Sequence, residues 1–165
     1  MAKENSFDVV SDVDLQEVDN AVQQAQRELV QRYDLKDSGS SIEYSKKEGT
    51  ITVAAPADFV AGQVIDVLNT RLIKRGIDLQ SVSWTPSQDA SGGTVRRVGT
   101  LIQGIDDATA KRINKDIRDL KKKVKVTIEG PKLRVSSASR DALQEIIAFL
   151  KEQDYDLPLQ FTNYR

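Results

Sequence analysis

Apolar positions along the chain recur in two rhythms, and the rhythms alternate in a fixed order. Ser6–Val10 reads as a short strand. Leu15, Val18, Val22, Ala25 and Leu29 then recur at spacings of three and four, the stripe of an amphipathic helix. The spacing predicts a helix over 14–33, with Asp14 as a carboxylate cap on its positive end. Ile42 and Tyr44 alternate with polar neighbours, KKEG (46–49) has turn chemistry, and Ile51 and Val53 alternate again, which makes a hairpin. A second helix opens at Pro56 and Asp58, buries Val60, Val64, Val67, Leu68 and Leu72, and stops at Gly76. Leu79–Trp84 closes the set as a strand. The order is βαββαβ.

The segment TPSQDASGG (85–93) reads as a linker. The order then repeats. Thr94–Gln103 is a strand and 106–121 a helix with Ile113, Ile117 and Leu120 inward. Val124, Val126 and Ile128 face Leu133 and Val135 across EGPK. Helix 139–153 and strand 157–164 follow. The two hairpins lie 82 residues apart, a period that points to duplication of one α+β unit. The expected fold is two tandem ferredoxin-like sandwiches, each an antiparallel sheet with both helices on one face. The first unit is 1–84, the linker 85–93 and the second unit 94–165. Exchange of a terminal strand between the units leaves the same pattern in the sequence.

Charge changes this picture. The chain of 165 residues carries 24 Lys plus Arg and 25 Asp plus Glu, net −1. Residues 1–93 hold 9 basic and 15 acidic residues, and residues 94–165 hold 15 basic and 10 acidic. An acidic first half joined to a basic second half suggests different jobs for the two.

Two absences narrow the chemistry further. The chain has no His and no Cys. It therefore builds no Ser-His-Asp or Cys-His nucleophile and no His/Cys metal centre. The carboxylate pairs Asp12/Asp14 and Asp106/Asp107 sit at predicted helix starts, where capping explains them. There is no phosphate loop and no GxGxxG. The expectation is a protein that is not an enzyme and has no catalytic residue, metal or cofactor. No apolar run approaches a membrane span, and MAKENSFDVV is not a signal peptide, so a cytoplasmic location is expected.

Strand parity locates the exposed sheet face of the second half. With Val124, Val126, Ile128, Leu133, Val135, Leu159 and Phe161 inward, Lys125, Thr127, Lys132, Arg134, Ser136, Gln160, Thr162 and Tyr164 face away. Cations and hydroxyls of this kind suit phosphate. A solvated sheet face explains them equally well. The same holds for Lys111, Arg112, Lys115, Arg118 and the run 121–123, where a polar helix face with basic residues near its C-terminus is the plainer account. RNA-recognition modules stack bases on aromatics of the central strands. GTITVAA (49–55) and KLRVSSA (132–138) carry none.

Several segments are distinctive: SFDVVSDVDLQEVDNAV (6–22), RYDLKDSGSSIE (32–43), LIKRGIDLQ (72–80), SGGTVRR (91–97), QGID (103–106) and PLQFTNYR (158–165). Together they resemble the YajQ family of small bacterial proteins. The resemblance implies a tandem ferredoxin-like fold and a non-enzymatic, nucleotide-binding, cytoplasmic protein. It also implies links to RNA and to cyclic di-GMP. Two departures stand out. The family pattern resembles RYDFKGS, where this chain has Leu35 and Asp37, and Thr100 and Ile102 stand where Lys is common. Candidate nucleotide-binding residues are Arg96, Arg97, Lys125 and Arg134, by parity, then Arg32, Lys36 and Arg75, which end elements inside matching segments. The ligand classes left open are a nucleotide or cyclic dinucleotide, RNA held by its backbone phosphates, and a protein partner for an adaptor.

Overall fold

A computed structural model describes residues 4–165. The elements are β1 (Asn5–Val10), α1 (Leu15–Gln31), β2 (Ser41–Ser45), β3 (Thr50–Ala55), α2 (Asp58–Lys74), β4 (Val82–Trp84), β5 (Gln88–Asp89), β6 (Val95–Leu101), α3 (Asp107–Asp119), β7 (Lys125–Glu129), β8 (Lys132–Ser137), α4 (Arg140–Glu152) and β9 (Gln160–Thr162). Helix ends follow the caps that the sequence provides. Asp14 accepts from the amides of Gln16 and Glu17, Asp106 from Thr109 and Ser139 from Ala142. Gly76, at φ 78°, takes the left-handed position after α2.

The expected α+β class holds, with two antiparallel sheets ordered β2-β3-β6-β4 and β7-β8-β1-β9. Each is a ferredoxin-like order. The division of the chain between them differs from the sequential halves. β1 pairs with β8 and β9, in the sheet otherwise built from the end of the chain. β6 pairs with β3 and β4, in the sheet otherwise built from the beginning. Each half has given its first strand to the other. One unit is therefore continuous, Val13–Leu101, and the other joins the segment ending at Asp12 to Ile102–Arg165. We call them the inserted and the discontinuous unit. The boundaries 1–84 and 94–165 are corrected accordingly.

The segment 85–93 is also corrected, since it is not a free linker. β5 within it pairs with β6, Thr85 N–H donates to the Val98 carbonyl, and Ala90 N–H to that of Thr94. It folds back onto the strand that follows. The physical reason is that β6 returns antiparallel beside β4, so the connection serves as a hairpin.

Redrawing the units changes the charge reading. The inserted unit holds 10 basic and 12 acidic residues, net −2, and the discontinuous unit 14 and 13, net +1. The contrast between sequence halves largely disappears, because Arg96 and Arg97 belong to one unit and Glu4, Asp8 and Asp12 to the other.

Each unit has its own core. α1 and α2 lay Val18, Val22, Leu29, Val64, Leu68 and Leu72 on Ile51 and Val53 of the inserted sheet. α3 and α4 lay Ile113, Ile117, Ile146 and Leu150 on Phe7, Val9, Leu133 and Val135 of the other. Leu35, the departure from RYDFKGS, is buried in the inserted core, so its change concerns packing and not ligand contact. β6 reaches β4 closely at Gly99. A Cβ there would stand 2.6 Å from Val82 Cγ1 and 3.0 Å from the Trp84 ring. Gly99→Ala is expected to cost about 1–3 kcal/mol by overpacking, read as a lower urea midpoint with unchanged slope.

Candidate functional site

Parity holds on the discontinuous sheet. Phe7, Val9, Leu133 and Val135 are buried on the helix side, while Lys125 and Thr127 are exposed on the other. Two cations of that open face, Lys132 and Arg134, are not free, however. Asp8, only 2% exposed, sits among them. Lys132 Nζ donates to its Oδ2 at 3.2 Å, Arg134 Nε to its Oδ1 at 3.2 Å, and Asn163 Nδ2 to its Oδ2 at 2.9 Å. Burial pushes the Asp8 carboxyl up, but the three donors together hold it below its ordinary value. Hydrogen bonding to Asp8 pushes the Arg134 guanidinium up.

The other sequence-predicted residues are scattered. Arg96 and Arg97 lie on the inserted sheet, and neighbours on a strand point to opposite faces. Arg96 is exposed, opposite Ala54 and Gln88. Arg97 lies on the helix side, donates to the Thr85 carbonyl at 3.0 Å and rests 6.0 Å from the centre of the Trp84 ring. Arg32 forks onto both oxygens of Asp34 at 3.1 and 3.2 Å. Arg75 reaches Glu17 at 3.5 Å, and Lys36 lies 5.8 Å from the centre of the Tyr33 ring. Lys125 is exposed opposite Ser136. Part of the basic surface of α3 and the residues after it is committed: Lys111 pairs with Asp107, Arg112 covers the Tyr155 ring at 4.8 Å, and Lys122 pairs with Glu145 at 2.7 Å.

A better-formed site lies at one edge of the discontinuous unit. A cavity of about 340 Å³ opens between the start of β1, the first two turns of α4 and the residues after β9. Its floor is apolar, from Phe7, Leu143 and Ile147. Its rim is polar, from Asn5, Ser6, Arg140, Gln144 and Arg165, and Tyr164 stands beside it, 61% exposed. The Tyr164 ring centre is 6.3 Å from that of Phe7. Tyr164, expected on the open face, therefore belongs to the helix side. Arg140 Nε donates to Asn5 Oδ1 at 3.4 Å. Among the described residues, the Arg140 side chain pairs with no carboxylate.

An apolar floor, an exposed ring and the Arg140 guanidinium are chemically suited to a flat ring that carries an anion. The sequence reading did not single out Arg140 because it followed the open sheet face, and the cavity is on the other side. One signal was present. Asn163 interrupts the alternation of PLQFTNYR, and Asn tolerates a left-handed backbone.

The fold defines a class, α+β proteins of paired ferredoxin-like units. Residues 5–165 match the family model described as nucleotide-binding protein YajQ-like. A "nucleotide-binding protein" of Chloroherpeton thalassium is 44% identical over 165 residues, with all of both chains covered. One of Desulforamulus reducens is 48% identical, covering 100% of this chain and 99% of the relative, and one of Alkaliphilus oremlandii is 47% identical over all of both. This chain belongs to the YajQ family.

Proposed function

We propose that the chain is a non-enzymatic nucleotide-binding protein whose ligand enters the cavity of the discontinuous unit. A base lies on the apolar floor against Tyr164, and Arg140 takes the phosphate. The observation that carries this reading is the meeting of Tyr164 with Arg140, whose side chain pairs with no carboxylate, at an apolar-floored cavity. The family description and the printed names of the relatives support the ligand class. A volume of about 340 Å³ lies at the small end of ligand sites, suited to one nucleotide or to one half of a cyclic dinucleotide such as cyclic di-GMP. No helix of the described residues is long and apolar enough to cross a membrane.

Isothermal titration with GMP, AMP and cyclic di-GMP tests the reading. Tyr164→Ala is expected to weaken binding about tenfold, since stacking one base on an aromatic contributes about 1–3 kcal/mol. Arg140→Ala is expected to weaken it similarly and to flatten the salt dependence, while Lys46→Ala, in the exposed β2–β3 turn, leaves affinity unchanged. Absence of heat with all three ligands would remove the proposal. Binding of a single-stranded RNA alone, with log K falling steeply with log salt, would favour a backbone-phosphate reader instead.

A further inference from the structure

Asn163 is the point at which the last strand loses its alternation. Its φ of 56° lies in the left-handed region. Thr162 pairs with Asp8 in regular register. Two residues on, Tyr164 belongs by alternation on the same face, yet its ring lies beside Phe7 on the helix side. Arg165 then resumes antiparallel pairing: its N–H donates to the Ser6 carbonyl at 2.9 Å, and the Ser6 N–H donates to the main-chain oxygen of Arg165 at 3.1 Å. One left-handed residue thus turns the end of the chain over, as a one-residue register slip would.

What holds that residue lies on the opposite face. The Asn163 amide donates to Asp8, and Asp8 is fixed by Lys132 and Arg134 of the neighbouring strand. Asp8 directly follows Phe7, which floors the cavity. The buried carboxylate therefore sits back to back with the cavity floor.

We infer that Asp8 and Asn163 form a latch that positions Tyr164 at the cavity. Asp8 is a positioning residue for a ligand it does not touch. The role in ligand binding rests on the nucleotide reading above; the latch itself does not. With the latch broken, the backbone at 163 relaxes toward extended geometry and Tyr164 leaves the cavity edge.

The test uses the full chain labelled with fluorotyrosine, GMP as probe, and Tyr164→Phe to assign one of the four tyrosine 19F lines. Asn163→Asp places two carboxylates together. Asn163→Gly keeps the left-handed backbone accessible and removes the amide. Both are expected to move the Tyr164 line most of the way to its unfolded position and to weaken GMP about tenfold, with the Tyr44 and Tyr155 lines unmoved. The double exchange Asp8→Asn with Asn163→Asp rebuilds the bond in reverse and is expected to restore much of the line position. A Tyr164 line unmoved in both single variants overturns the latch, as does a double variant no better than Asn163→Asp. If GMP binds no form of the protein, wild type included, the nucleotide reading fails, and the line positions still decide the latch.

Discussion

Chains cut at the apparent boundary, 1–93 and 94–165, are expected to be unfolded when expressed separately and to regain structure only when mixed. Deletion of Val13–Leu101, with a short bridge from Asp12 to Ile102, is expected to leave a folded unit. The reason is the position of β1. It lies between β8 and β9, and β9 has no other strand beside it. It supplies Phe7 and Val9, both fully buried. Burying side chains of this size contributes about 1.5–3 kcal/mol each, before the two hydrogen-bond ladders are considered. A domain has only about 5–15 kcal/mol in total, so fragment 94–165 cannot spare that strand. The bridge is short because the Gly104 amide donates to the Ser11 carbonyl at 2.7 Å, and the Gln160 side chain binds both the amide and the carbonyl of Asp12. Circular dichroism and urea unfolding read the outcome. A cooperative transition for 94–165 alone would contradict the strand exchange.

Asp8→Ala is expected to lower stability by about 2 kcal/mol. Three charge-assisted hydrogen bonds are lost, but Lys132 and Arg134 are about one-third exposed and can rehydrate, which keeps the cost below that of a fully buried pair. The effect depends on pH. The carboxyl is held below its ordinary 3.8 in the folded state, so its contribution is present above that value and is lost as pH falls through the folded pKa. The stability difference between wild type and Asp8→Asn is therefore expected to be constant near neutrality and to shrink below about pH 4. Urea midpoints at several pH values measure it. A difference that does not change down to pH 2 would show that the Asp8 charge contributes nothing.

Much of the fold was legible because its elements are local. The stripe from Leu15 to Leu29, the alternation around Lys46–Gly49 and the caps at Asp14 and Asp106 each act within a few residues. The partner of β1 is not local. Ser6–Val10 carries the same apolar alternation whether it joins β3 or β8, and both sheets offer a central place for it. Parity placed Lys125 and Arg134 on the open face, yet it could not show that Asp8, on a strand from the other half of the sequence, sits among them. For the same reason the charge contrast was overstated. The cavity was hidden by one residue, since strict alternation through Asn163 sends Tyr164 to the wrong side.

The exchanged strands also set an order of assembly. During synthesis, β6 meets β3 and β4 soon after it emerges, so the inserted unit closes early. β1 leaves the ribosome first, but its partner opposite Phe7 is Val135, and at roughly 5–20 residues per second that strand arrives on the order of ten seconds later. Through this interval a strand with two core side chains, Phe7 and Val9, waits unpaired. The nascent protein is then most exposed to wrong pairing, and slowing elongation after Leu101 would lengthen that exposure without altering any contact of the native state.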